Sequence, residues 1–311
     1  MTPLLPIEGE IDFTNMENGY EKCELSQEEL RQLQLKNLEM ALYFRDFCKQ
    51  NGLKFFLCGG CCIGAVRNKG FVPWDDDVDV FMPRYDYEKL GEMWNQRADT
   101  SRYSYCRADE VHHYRNLFAT INDNNTTFIK THQADLDINH GVALDILPLD
   151  GCPNSRAARG IQVFWALIYS IFCAQMVPVN HGRLVNFCGR VLLGLVPSRK
   201  LRYKIWRFAE GQMSKHKISD CDNVTELCSG PRYMRNKYPK SAFSDALEVE
   251  FEGEGMPIPT GYDEYLRMAF GDYMRLPPKE RQVPHHDAVF CDLSNGYASY
   301  KGEYYCKGER K

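Results

Sequence analysis

The chain has 311 residues, of which 44% are hydrophobic and 26% charged, with a formal net charge of −4. That length suits one large domain or a catalytic domain with a smaller companion. The slightly acidic balance excludes a general basic field for nucleic acid without excluding a nucleotide ligand. Thirteen cysteines are scattered along a chain too large to need disulfide staples, and the amino terminus, MTPLLPIEGEIDF, has no basic stretch followed by an apolar one. We therefore expect free thiols and a reducing, cytoplasmic compartment.

Residues 1–25 show no clear period and read as an arm. Ser26 and Glu29 have capping-box spacing, which predicts a helix running to Gln50 and stopping near Gly52. Leu30, Leu33, Ala41, Phe44 and Cys48 fall on one side of it. Lys54–Cys58 reads as a short buried strand, Gly59-Gly60 as a turn and Cys61–Lys69 as a short helix. Asp77–Met82 follows as a strand and Tyr85–Trp94 as a helix, with Leu117–Asn122, Thr127–Lys130 and Val142–Leu147 as further strands.

Residues 161–197 are apolar for nearly a membrane-spanning length, yet Gln162, Gln175, Pro178 and Arg190 interrupt them. They read as a buried helical hairpin, or as a helix lying on a membrane surface, rather than as a span. From Lys200 onward the chain is polar and turn-rich with aromatic clusters, the composition of an ordered lobe.

An extended Asp77-Val78-Asp79-Val80 projects Asp77 and Asp79 to one face, about 7 Å apart at ~3.3 Å per residue, and turns both valines to the core. Two such carboxylates repel unless a cation lies between them. Mg²⁺ prefers carboxylate, water and phosphate oxygen, so the pair suits a phosphorylated substrate. Gly59-Gly60, one strand earlier, lets backbone amides approach phosphate at a helix start. Arg67 and Lys69 could meet phosphate charge or be simply solvated.

Asp145 stands in the apolar run HGVALDILPLDG, where a lone charge is costly without a partner. It is the third ligand or a base, whereas Asp150 reads as a cap or turn residue beside Pro and Gly. Cys58-x-x-Cys61 lacks the second pair that structural zinc needs, because Cys221 and Cys228 are too widely spaced for a knuckle. These thiols read as packing beside the turn.

The stretch GGCCIGAVRNKGFVPWDDDVDVFMPRYDYEKL resembles the signature of the LicD family, in Gly59-Gly60, Gly64-Ala65-Val66-Arg67, Pro73 through Asp79, and Arg84-Tyr85-Asp86-Tyr87. HGVALDILPLDGCP at His140–Pro153 and FGDYMRLPPKERQVPHHD at Phe270–Asp287 resemble its second and third blocks. Cys61-Cys62-Ile63 departs from the hydroxyl residue and leucines usual there and leaves any phosphate contact to the backbone.

The resemblance implies an α+β, nucleotidyltransferase-like fold, a small mixed sheet flanked by helices. The catalytic core would span 26–155, the apolar hairpin 156–200 and a C-terminal lobe 201–311. It implies Mg²⁺, or Mn²⁺ in its place, on Asp75, Asp77, Asp79 and Asp145. It further implies transfer of a phospho-alcohol, CDP-choline being the foremost donor, to a hydroxyl with release of CMP. The implied acceptors are glycans or lipid-linked glycans of teichoic acid, lipopolysaccharide or capsule, and no nucleic acid. Arg67 and Arg84 become candidates for pyrophosphate charge, the alternative being helix-surface salt bridges. His285 and His286 become candidates for nucleotide or acceptor binding, the alternative being surface residues. Lipid-linked acceptors would place the chain at the inner face of the membrane, in contact through 161–197. Two other readings stay open: a nucleotidyltransferase releasing pyrophosphate, and a non-catalytic nucleotide- or sugar-binding relative.

Overall fold

Helix α1 (Gln27–Asn51) begins at the expected capping box: the Glu29 amide donates to Ser26 Oγ at 3.2 Å, and the Ser26 amide to Glu29 Oε2 at 2.8 Å. It ends at Gly52, whose φ of 64° is the left-handed conformation that suits glycine. The computed structural model describes residues 22–176, 183–284 and 288–307. The inner face of α1 buries Leu33, Met40, Phe44 and Phe47 together with Gln34 and Asn37.

The chain continues through β1 (Phe56–Leu57), α2 (Gly59–Asn68), β2 (Val78–Pro83), α3 (Arg84–Arg97), β3 (Tyr103–Cys106), β4 (Ala119–Asp123), β5 (Thr127–Lys130) and β6 (Ala143–Cys152). Three helices follow, α4 (Arg156–Ala174), α5 (Arg183–Leu195) and α6 (Arg199–Met213). The remainder holds β7 (Asn223–Glu226), β8 (Tyr238–Pro239), β9 (Ala246–Phe251), β10 (Glu254–Pro259), α7 (Tyr262–Phe270) and β11 (Ala288–Asp292).

The expected mixed sheet is present, in the order β1-β2-β6-β4-β3, with β7 on β6 and β8 on β7. Among the described strands of this sheet only β2 and β6 run parallel, with Asp79 opposite Asp145 and Pro83 opposite Leu149. The segment 201–311 is woven into this sheet through β7 and β8, and β11 pairs with β5. Boundaries at 155 and 201 therefore do not follow the strand pairing. Of the arm, residues 1–21 lie outside the described residues, and Cys23 bridges to Ala288. The described cysteines are all free, and burial pushes the Cys58 and Cys61 thiols up, in keeping with packing.

The apolar hairpin pairs differently from the expected one. Helix α4 lies antiparallel to α6: Gln162 donates to the Met213 carbonyl, Trp165 meets Phe208, Tyr169 meets Trp206, and Arg202 reaches Gln175. Gln162, which interrupts the sequence pattern, is buried and also donates to the Gly151 carbonyl at 2.8 Å. Helix α4 is long and apolar enough to cross a membrane by length and composition, but it packs its inner face into a second core with α6.

At the distal ends of β2 and β6, Arg84 forms a bidentate pair with Asp150, both bonds 2.8 Å. It also meets Glu88 at 3.1 Å and Glu210 at 3.4 Å. Arg107 closes the cluster on Glu88 and Glu210, and the Tyr87 ring lies 5.1 and 4.7 Å from the two guanidinium carbons. Asp150 is fully buried inside β6, so the expected turn residue is instead the anchor of a buried ion cluster. Burial alone would raise the Glu88 carboxyl, but Arg107 and then Arg84 pull it from 4.5 down to about 2. A depressed carboxyl stabilises the fold above its unfolded value and loses that contribution as pH falls through its folded one. Acid titration monitored by circular dichroism should show stability lost between about pH 4.5 and 2, and Glu88→Gln should flatten that part of the curve.

Candidate active site

The site forms where the short β1–α2 connection meets β2 and β6. Val78 and Val80 are fully buried, and Asp79 between them is half-buried on the opposite face, the alternation expected of this strand. Parallel pairing sets Asp145 directly beside Asp79. Carboxylate oxygens of Asp77, Asp79 and Asp145 all lie within 4.8 Å of one another, and those of Asp75, Asp76 and Asp77 form a second such group. The loop bearing them is pinned from α1: the Gln34 amide donates to the Asp75 carbonyl at 2.9 Å and the Asn37 amide to the Asp76 carbonyl at 3.0 Å.

The two glycines serve the carboxylates as well as any phosphate. Helix α2 starts at Gly59 rather than Cys61, and the Gly59 amide donates to Tyr265 Oη at 3.0 Å. That leaves Gly60 and Cys61 as the first-turn amides without an intrahelical acceptor and corrects the expected role of Gly59. A Cβ on Gly60 would stand 2.3 Å from Asp75 Oδ2, and one on Gly59 3.5 Å from Asp79 Oδ2. Gly59 also has φ of 53°, a conformation that glycine adopts readily.

One cation answers this negative charge from an unexpected place. Lys130, the last residue of β5, is largely buried with its ammonium 3.7 Å from Asp145 Oδ2. Burial would lower its pKa, but Asp145 first, then Asp77, Asp76 and Asp79, raise it. Asp79 is pushed well above the carboxylate range by burial, then by Asp77, Asp145 and Asp75. Asp145 Oδ1 is buried with no hydrogen-bond partner. An orphaned carboxylate oxygen is costly to bury, and hard oxygen donors this close together suit Mg²⁺. The residues present therefore fit a divalent cation. Lys130→Met should lower stability in EDTA by about 3 kcal/mol, the order expected when a buried charge loses its partner. Thermal melts should recover most of that loss in saturating Mg²⁺.

The other expected site residues divide. Arg67, on the last turn of α2, is half-buried and donates to the Tyr273 carbonyl at 3.0 Å. Burial lowers its pKa, and the nearby Asp75 charge opposes that shift. Lys69 pairs with Glu250 at the surface, at 3.0 Å. Arg84 is not brought to the carboxylates. Its partner Asp150 lies five residues beyond Asp145 on β6, about 16 Å at ~3.3 Å per residue. His285 and His286 lie outside the described residues.

Residues 52–148, which contain the clustered Asp75, Asp76, Asp77, Asp79 and Asp145, match the nucleotidyltransferase domain of the LicD/FKTN/FKRP family. Over those residues the chain is similar to a LicD-family nucleotidyltransferase domain. It is also 29% identical, over 268 residues, to the lipopolysaccharide cholinephosphotransferase LicD of Haemophilus influenzae, an alignment covering 83% of this chain and 96% of that relative. The LicD-type domain supplies both Asp-x-Asp and Asp145, but the alignment runs well beyond it into the helical and C-terminal segments.

Lys130, Gln34 and Asn37 belong to the site and were not singled out in the sequence. The signal for Lys130 is a charge closing the otherwise apolar strand Thr127–Lys130. Gln34 and Asn37 are polar residues on the apolar stripe of α1, three apart and both buried.

Proposed function

We propose that this LicD-type transferase moves phosphocholine from CDP-choline to a hydroxyl of a cell-surface glycan precursor and releases CMP, with Mg²⁺ bound. The observation carrying this reading is the convergence of Asp77, Asp79 and Asp145 within 4.8 Å around a buried, unpartnered Asp145 oxygen. The similarity to a lipopolysaccharide cholinephosphotransferase across nearly that protein's whole length supports the group transferred and the glycan acceptor.

Held by Asp77, Asp79 and Asp145, with Asp75 orienting them, a divalent cation would supply charge neutralisation at the donor pyrophosphate. The Gly60 and Cys61 amides at the positive end of α2 offer hydrogen bonds to phosphate oxygens. Lys130 balances the carboxylates through Asp145, 3.7 Å away, and Arg67, whose Nε and Nη1 donate to Asn68 Oδ1 and the Tyr273 carbonyl, would offer its Nη2 to the outer phosphate. We assign Asp145 to the ligand set rather than to the base, a reading supported by its carboxylate lying within 4.8 Å of those of Asp77 and Asp79. The acceptor hydroxyl needs a proton acceptor within hydrogen-bond reach, and we assign that role to Asp77, which like Asp79 is only half-buried.

Product analysis separates this reading from nucleotide transfer. The purified chain with Mg²⁺, CDP-choline and a glycan extract should release CMP and leave choline on the glycan. CTP with the same acceptor should give no pyrophosphate. Pyrophosphate from CTP without CMP from any CDP-alcohol would replace the proposal with the nucleotidyltransferase reading.

A further inference from the structure

Helices α4, α5 and α6 bury one side and leave the other apolar. Inward, Ala166, Tyr169 and Phe172 of α4 and Trp206, Ala209 and Met213 of α6 form a core together with Leu193 of α5. Outward, α4 presents Ile161, Phe164 and Leu167 and α6 presents Leu201 and Phe208, with Phe164 54% and Phe208 57% exposed. The Trp165 ring stands edge-on between Phe164 at 5.2 Å and Phe208 at 5.3 Å. The outward side chains of the two helices therefore make one aromatic ridge. Leu195 at the end of α5 is exposed as well, at 74%. An apolar patch of this kind on a soluble face marks an interaction surface.

The charge around the ridge says what covers it. Between Asp150 and Glu210 the chain has nine arginines and lysines and no aspartate or glutamate, although the whole chain carries −4. Arg159 among them is buried, and Lys200 and Arg207 pair with Glu110 and Glu210, so the charge beside the ridge rests on other members of the set. Lys204 falls on the same stripe of α6 as Leu201 and Phe208, and Arg190 adjoins the exposed Val191 of α5. A second copy of this chain would set this basic surface against itself across a two-fold axis, whereas an anionic lipid surface complements it. Crossing the bilayer is excluded by the inner face of α4: buried Arg159 donates to Thr225 Oγ1 at 2.9 Å and to the Met234 carbonyl, tying the helix to β7 and the segment after it.

We propose that the α4–α6 ridge docks on a phospholipid bilayer bearing anionic headgroups. Phe164, Leu167 and Phe208 enter the boundary between headgroups and acyl chains, and Arg190 and Lys204 meet headgroup phosphates. This docking is independent of the donor and the acceptor, so vesicles alone test it.

Full-length protein would be sedimented with sucrose-loaded vesicles of phosphatidylcholine, with and without phosphatidylglycerol. Binding at least tenfold tighter to the anionic vesicles, weakening as salt rises, is the expected result. Phe164→Ser/Phe208→Ser and, separately, Arg190→Glu/Lys204→Glu should each reduce it at least tenfold, each basic residue being worth about fivefold. All four positions are exposed, and the charge variant leaves the apolar contacts intact, so an unchanged melting temperature accompanies the expected loss. Absence of binding to anionic vesicles, or variants that bind like the parent, would overturn the proposal. So would a dimer in vesicle-free sedimentation velocity that Phe164→Ser/Phe208→Ser dissolves, which assigns the ridge to a second copy.

Discussion

Replacing Asp77 and Asp79 together by alanine should reduce CMP release by about a thousandfold or more, the rate equivalent of ~4 kcal/mol of lost charge stabilisation. Stability in EDTA should move the other way. Three carboxylate oxygens within 4.8 Å of one another repel, so a chain stripped of metal gains by losing two of them. Asp79→Asn isolates the charge at nearly constant shape. Burial first, then Asp77, Asp145 and Asp75, push the Asp79 carboxyl well above its ordinary 3.8. A raised carboxyl keeps its proton in the folded state when the unfolded chain has released it. Its contribution to stability is therefore full below pH 3.8 and is lost as pH rises towards the folded value. Melting temperatures in EDTA should accordingly fall from pH 4 upward in the parent, and less steeply in Asp79→Asn. Saturating Mg²⁺ should raise the parent's melting temperature by mass action and leave the double alanine variant unmoved. Turnover by that variant within tenfold of the parent would remove the carboxylates from the chemistry.

What the sequence discloses of this site is what short range determines. The capping box of α1 involves residues three apart, and the exposure of Asp79 between Val78 and Val80 follows from the period of one strand. Strand β5 spans Thr127–Lys130, the bounds read from four consecutive residues. Strand β7 is not legible, because its reason to be extended is a partner about seventy residues away on β6, and β8 is extended only as the partner of β7. The far half of β6 was hidden for a related reason. Pro148 and Gly151 make the segment look like a turn, yet Pro148 falls where one edge of β6 changes partner, from β4 at Ile146 to β7 at Leu149. A missing amide donor costs little at such a switch. Lys130 could be read as a lysine at a strand end, but its burial against Asp145 depends on β5 leaving the main sheet to pair with β11.

Arg84→Ala should destabilise the protein by about 3–5 kcal/mol, the cost of removing one partner of a buried ion pair. The size of the effect follows from what is left behind. Asp150 is fully buried and loses both its hydrogen bonds, and Glu210, only 4% exposed, keeps Arg107 and Arg207 but loses its contact with Arg84. Urea denaturation measures this cost, and Arg84→Met/Asp150→Leu should regain most of it by removing both charges. The same pair of variants decides between the two roles that the signature left open for this arginine. If Arg84 serves the architecture of the distal ends of β2 and β6, the double variant recovers the parent's KM for CDP-choline along with its stability. If its guanidinium meets the donor pyrophosphate during turnover, stability returns while KM stays raised tenfold or more. The bidentate pairing with Asp150, one strand-length from Asp145, favours the first result. A guanidinium with both forks engaged by a buried carboxylate would have to surrender that pair to reach a phosphate.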